Sequence, residues 1–226
     1  MSSNLYIVST PIGNIDDITI RALNTLKEVD FIICEEYKPA RRFLSQLDLS
    51  NKELISVNEH NEKESTQEIL NMILEGKSAA LISDCGTPLF SDPGHHLLDM
   101  ALSYKIDVKI IPGVSSILPA MTGSNLHIEK FFYFGWLSPK KEIRRQELFH
   151  LKKVKEVIVL METPYRLKKI LADVLNTFGK LTQIVLAYEL TSSNEVFFRG
   201  PVYEILAVAE KKNLKGEFVL IIDNRK

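Results

Sequence analysis

Short apolar runs of four to six residues recur along this chain, and amphipathic stretches separate most of them. Leu5–Ser9, Phe31–Cys34, Leu54–Val57, Ala79–Ser83 and Val108–Ile111 are apolar runs of strand length. Thr19–Val29 carries Ile20, Leu23, Leu26 and Val29 at helical spacing, and Ile69, Met72 and Ile73 repeat that period before Gly76. Further helices are predicted near Ala40–Leu47 and Leu97–Tyr104. Strands alternating with helices predict a mainly parallel, doubly wound sheet in an α/β domain. A second set follows. Strands are predicted at Phe131–Phe134, Val157–Met161, Gln183–Tyr188, Val196–Arg199 and Phe218–Ile222. The helices of this set are Glu142–Leu151, a segment from Thr163-Pro164 to Phe178, and one from Pro201. Two α/β domains are expected, residues 1–115 and 116–226, joined near Ser116–Asn125, the second with a mixed sheet.

Local signals set the helix starts. Ser65-Thr66-Gln67-Glu68 has capping-box spacing. Asp92 followed by Pro93 reads as an N-cap with proline in the first turn. The same stretch has a second reading. Leu81–Gly94 leaves a buried strand into a loop with Asp84, Asp92, Thr87, Ser91, Gly86 and Gly94. Open α/β sheets bind ligands at such strand ends. Thr10–Asn14 and Pro112–Ser116 are polar turns in the same position.

Composition narrows the classes. The net charge of -1 provides no global field for nucleic acid, so an RNA ligand needs a local basic patch. Two cysteines without CxxC spacing favour thiols in a reducing cytoplasm. No signal peptide or membrane span is predicted. No G-x-G occurs, which excludes the dinucleotide fingerprint. Gly76-Lys77-Ser78 has Asn71 where a P-loop needs glycine, and there is no G-x-S-x-G elbow and no H-E-x-x-H. A metal site is not expected.

Several loops together carry a resemblance. LYIVSTPIGNIDDITIRAL, LISDCGTPLFSDPG, IIPGVSS, FYFGWL, LMETPYRL, AYELTSSNEVFFRGPV and KGEFVLII, in that order, resemble the bacterial rRNA small subunit methyltransferase I family of the tetrapyrrole methylase superfamily. The resemblance covers nearly the whole chain. It implies S-adenosylmethionine (SAM) in a cleft between the two domains, with S-adenosylhomocysteine as product. It implies methyl transfer to a ribose 2′-hydroxyl of a cytidine in small-subunit (16S) rRNA, and a homodimer. Relatives act on precorrins and uroporphyrinogen, so fold alone does not choose the substrate. A tetrapyrrole substrate and a non-catalytic SAM- or RNA-binding role therefore remain alternatives. Three departures stand out. Glu35-Glu36-Tyr37-Lys38 replaces the usual Glu-Asp-Thr-Arg run, Cys85 stands where alanine is common, and the chain stops at Lys226 where typical members carry a further helical domain.

The resemblance places SAM against Pro11, Asp84, Thr87, Leu89, Phe90, Ser115, Ser116, Met161, Ala187 and Gly216. Asp84 would take the cofactor's ammonium or ribose hydroxyls, and Met161 would pack on adenine. A ribose hydroxyl benefits from a base or orienting acceptor. Glu35 is the first candidate and Asn14 the second, with Glu36 and His60 also at strand ends. For Glu35 the alternative is an ion pair with Arg41 or Arg42. For RNA, Lys140, Lys141, Arg144 and Arg145 lie in one predicted exposed segment beside Trp136 and Phe149, and Arg21, Arg41 and Arg42 form a second group. The alternative is a helix face solubilised by charge.

Overall fold

The computed structural model describes residues 4–90 and 92–225, so Ser91 lies outside the described residues. The chain divides into two compact units, Met1–Ser115 and Ser116–Lys226.

The first unit runs β1 (Asn4–Val8), α1 (Ile20–Glu28), β2 (Phe31–Cys34), α2 (Tyr37–Gln46), β3 (Glu53–Ser56), α3 (Glu62–Leu74), β4 (Ala79–Ile82), α4 (His95–Ser103) and β5 (Asp107–Ile111). Its sheet has the order β3-β2-β4-β1-β5, and every pair is parallel. The central strands are apolar on both faces because helices cover both. Leu5, Ile7, Ile33 and Leu81 pack on α3 and α4 through Ile69, Leu70, Ile73, Leu97 and Ala101. Val8, Ile32, Ala80 and Ile82 face α1 and α2 through Ala22, Leu26, Ala40 and Leu44. The chain leaves β1 by way of α1 and the adjacent β4 by way of α4, on opposite faces. The carboxyl ends of β1 and β4 are therefore the switch point of a doubly wound sheet, where a crevice opens.

The second unit contains α5 (Ile117–Gly123), β6 (Phe131–Trp136), α6 (Lys141–Leu151), β7 (Val157–Glu162), α7 (Leu167–Phe178), β8 (Gln183–Tyr188), β9 (Val196–Pro201), α8 (Val202–Lys211) and β10 (Phe218–Asp223). Its order is β6-β7-β10-β8-β9. Only β6 and β7 run parallel, and the remaining pairs are antiparallel. Leu148, Leu151, Leu167, Ile170, Val174, Val202 and Ile205 cover one face of this mixed sheet.

Two local expectations are corrected, and one segment gains a helix. The helix after β3 starts at Glu62, ahead of the capping box, because Asn61 already closes a turn by accepting from the Asn58 N–H at 2.8 Å. Asp92 does not cap α4. Gly94, at φ 112°, occupies that position, and Glu62 Oε1 of α3 accepts from the N–H groups of Gly94 and His96, both at 3.0 Å. The segment near Ser116–Asn125 includes the helix α5, whose end is held from far along the chain: Arg199 donates to the carbonyls of Gly123 and Ser124.

Candidate functional site

In the first unit the loops leaving β1, β4 and β5 interlock. The Thr10 N–H donates to the Gly86 carbonyl at 2.8 Å, and the Gly86 N–H returns a bond to Thr10 at 3.1 Å. Thr10 Oγ1 also donates to the Ser83 carbonyl at 3.2 Å. Gly86 sits at φ +82°, a conformation glycine adopts without penalty, and a Cβ there would meet Ile12 Cγ2 at 3.4 Å. Gly113 lies so close that a Cβ would stand 2.9 Å from Ser9 Cβ. Thr87 Oγ1 donates to Val114 at 3.4 Å, which ties the second loop to the third. Pro11, Thr87, Leu89, Phe90 and Ser115 all lie on these three loops. Phe90 is exposed. Leu89 adopts φ 66°, and its carbonyl bonds His95 Nε2 at 2.9 Å.

Acidic side chains gather at the same edge. Burial pushes the Glu35 carboxyl above its ordinary range, and Asp84, Asp92, Glu36 and Glu59 raise it further. Asp84 is raised by burial first and then by Glu36 and Asp92, while a bond from the Glu36 N–H opposes the shift. Asp92 is raised by burial against a hydrogen bond with Ser83. Neither Arg41 nor Arg42 forms an ion pair with Glu35. Carboxylates desolvated against one another favour either protons or a bound cation. Burial also pushes the Cys34 thiol, at the end of β2, up to about 12, whereas Cys85 in the β4 loop is exposed. Asn14 is committed to its own turn, its Oδ1 accepting from the Asp16 N–H at 3.0 Å. His60 is exposed beyond β3.

In the second unit, Met161 at the end of β7 accepts from the Tyr133 hydroxyl at 3.4 Å. Gly216 admits no side chain: a Cβ would collide with Glu189 Oε1 and stand 2.6 Å from the Tyr188 hydroxyl. Its N–H donates to that hydroxyl at 2.7 Å. Ala187 is a correction. It is fully buried and paired with Val219 and Phe197 on its two sides, so it positions Tyr188 and Glu189 and offers no surface to a ligand. Ser116 is the N-cap residue of α5.

The basic residues separate into two kinds. Arg21, Arg41, Arg42, Lys140, Lys141 and Arg145 are exposed. Arg144, expected beside them, is fully buried. Its Nε donates to Asp173 at 2.7 Å and its Nη1 to the carbonyls of Ser138 and Pro139. It is a structural cation, its charge met by Asp173 on α7. Phe149 is exposed, but Lys153 lies 5.1 Å from its ring centroid. Sequence reasoning passed over Arg166 and Tyr165. The PYR triplet after β7 was the available signal.

Among the described residues no group of three or more His, Cys, Asp or Glu could hold a metal, and no helix is long and apolar enough to cross a membrane.

A family model described as Tetrapyrrole (Corrin/Porphyrin) Methylases matches residues 4–206. A Thermotoga maritima protein named Ribosomal RNA small subunit methyltransferase I is 41% identical over 98% of this chain and 98% of its own length. A Halalkalibacterium halodurans protein of the same name is 38% identical over 97% of this chain and 75% of its own. Among solved structures, a cobalt precorrin-4 methyltransferase superposes with a TM-score of 0.73 at 20% identity, covering 97% of this chain and 94% of that one. A Thermus thermophilus uroporphyrin-III C-methyltransferase complexed with S-adenyl homocysteine gives 0.67 at 18% identity, covering 97% and 96%.

Proposed function

The chain belongs to the tetrapyrrole methylase family, alongside relatives named for small-subunit rRNA methylation, and from that premise we propose that it is a SAM-dependent methyltransferase of small-subunit rRNA acting on a cytidine ribose 2′-hydroxyl. The observation that carries the reading is the acidic edge of the first unit, Glu35 after β2 with Asp84 and Asp92 on the β4 loop, together with the interlocked loops of β1, β4 and β5.

The fit to the cofactor is electrostatic and steric. SAM has a sulfonium and an ammonium against one carboxylate, whereas its demethylated product has no sulfonium charge. Glu35 and Asp92 are half-buried and Asp84 is exposed beside them; all three carboxyls are raised, and a cation relieves the repulsion that raises Glu35 and Asp84. Gly86 and Gly113 let backbone groups approach without side chains in the way. In the first unit Pro11, Asp84, Thr87, Leu89, Phe90 and Ser115 are the cofactor contacts. In the second, Ser116, Met161 and Gly216 take that role.

When bound, SAM supplies a methyl group on a good leaving group. The protein's share is to hold the acceptor oxygen in line and exclude water. Glu35 accepts the ribose hydroxyl's hydrogen bond or its proton. Its raised affinity for protons brings it closer to working pH than an ordinary carboxylate. Asn14 keeps the β1 loop in its turn and orients the acceptor. Arg21, Arg41, Arg42, Lys140, Lys141 and Arg145 contact rRNA phosphates. The working enzyme is a cytoplasmic homodimer.

Calorimetry with SAM, paired with methyl transfer by Glu35→Gln, tests this reading. SAM binding retained with turnover lost supports the assignment of Glu35, and unchanged turnover removes it.

A further inference from the structure

Arg166 and Arg144 both tie the loop after β6 to the interior of the second unit. Arg166 Nη2 donates to the carbonyls of Leu137 at 3.0 Å and Ser138 at 2.9 Å. Arg144 Nη1 donates to Ser138 at 3.1 Å and Pro139 at 3.0 Å. The Ser138 N–H donates to Glu147 at 2.8 Å. Both guanidiniums are themselves anchored, Arg166 by Glu162 at 3.0 Å and Arg144 by Asp173 at 2.7 Å, and both carboxylates are almost wholly buried. Three consecutive carbonyls are thereby tied to the interior.

On either side of this clamp stands an exposed aromatic residue. Trp136, the residue before Leu137, ends β6 and is 42% exposed. Tyr165, the residue before Arg166, is 83% exposed. β6 and β7 are parallel neighbours, with Trp136 opposite Met161, so both aromatics lie at the same end of adjacent strands. Among the described residues neither side chain has a hydrogen-bond partner. Lys140, Lys141 and Arg145 are exposed on the continuation of the clamped loop, with Glu142 also exposed and Glu147 half-buried and taken up by the Ser138 N–H. Exposed rings next to a tethered backbone and beside cations suit unpaired bases on a phosphate backbone.

We infer that Trp136 and Tyr165 form a stacking platform for unpaired bases of the RNA substrate, with Arg166 as the positioning residue that locks the two strand-end loops together. This rests on the rRNA reading above.

Trp136 is the chain's single tryptophan, so its fluorescence reports on the platform directly. The probe is a short, unpaired, cytidine-rich oligoribonucleotide added to the full chain. Saturable quenching is expected, weaker with the same strand in a duplex. Tyr165→Ala should lower affinity roughly 5- to 160-fold, the range of losing one stacked base, while Tyr165→Phe retains it. SAM affinity measured on Tyr165→Ala should match the wild type, which verifies folding. Wild-type oligonucleotide affinity in Tyr165→Ala overturns the platform, as does equal quenching by duplex. If subunits are methylated but the oligonucleotide leaves Trp136 unquenched, the platform falls and the rRNA reading stands. Quenching by intact subunits but not by protein-free rRNA assigns the face to a ribosomal protein and also overturns it. SAM binding without any RNA binding or methylation removes both readings.

Discussion

Glu62 Oε1 on α3 accepts from the backbone N–H groups of Gly94 and His96, so the β4 loop is closed by a residue 32 positions earlier. This carboxylate satisfies two of the donors at the start of α4 that Asp92 was expected to serve. Asp92 is thereby left to the acidic edge, where burial raises it. Glu62→Ala should destabilise the fold by about 1–2 kcal/mol, the usual worth of a cap, and loosen the loop that includes Leu89 and Phe90. Denaturant unfolding and SAM titration check both effects. Loss of stability with unchanged SAM affinity would separate the cap from the site.

The carboxyls at that edge predict an inverted pH response. Glu35, Asp84 and Asp92 have folded pKa values above their unfolded ones. Their contribution to stability is therefore fully present below the unfolded values and is lost as pH rises through the folded ones. Asp84→Asn should raise the stability of the ligand-free protein at neutral pH and flatten this part of the pH profile. The same variant should bind SAM more weakly. SAM affinity should rise with pH as these raised acids ionise, with S-adenosylhomocysteine responding less.

Arg144 and Asp173 form a buried pair, and one partner alone leaves an uncompensated charge. Asp173→Ala should cost about 3–5 kcal/mol, and joint replacement by Met and Leu should recover most of that loss. Neither change should alter the salt dependence of RNA binding. Replacing Lys140, Lys141 and Arg145 together should lower the slope of log affinity against log salt by about 2–3. A flat salt response in the wild type would point to a small-molecule substrate.

The two thiols should react very differently. Cys34, pushed up to about 12, stays protonated near neutral pH, while Cys85 is exposed on the β4 loop. Alkylation of the native protein should modify Cys85 alone, and SAM should slow it. Equal modification with and without SAM would move the cofactor away from this loop.

The first sheet was legible because strands such as Phe31–Cys34 and Ala79–Ile82 are apolar on both faces, the pattern of a parallel sheet covered by helices. The strand-end loops were legible as polar breaks after those runs. What could not be read locally depended on distant partners. Arg144 looks like one charge among many on a polar helix until Asp173, on α7, is seen to accept from it. The cap from Glu62 and the tether of Arg199 on α5 have the same origin, since neither spacing nor propensity records a contact made across the fold. Tyr165 is exposed and patternless, and only the hydrogen bonds of its neighbour Arg166 give it a place.

The most direct test of the central claim is transfer of tritiated methyl from SAM into small ribosomal subunits that lack the modification, with the labelled nucleotide mapped. The account predicts stoichiometric incorporation at a cytidine ribose 2′-hydroxyl, abolished by Asp84→Ala. SAM binding without label in rRNA, or label passing instead to a tetrapyrrole precursor, would contradict it.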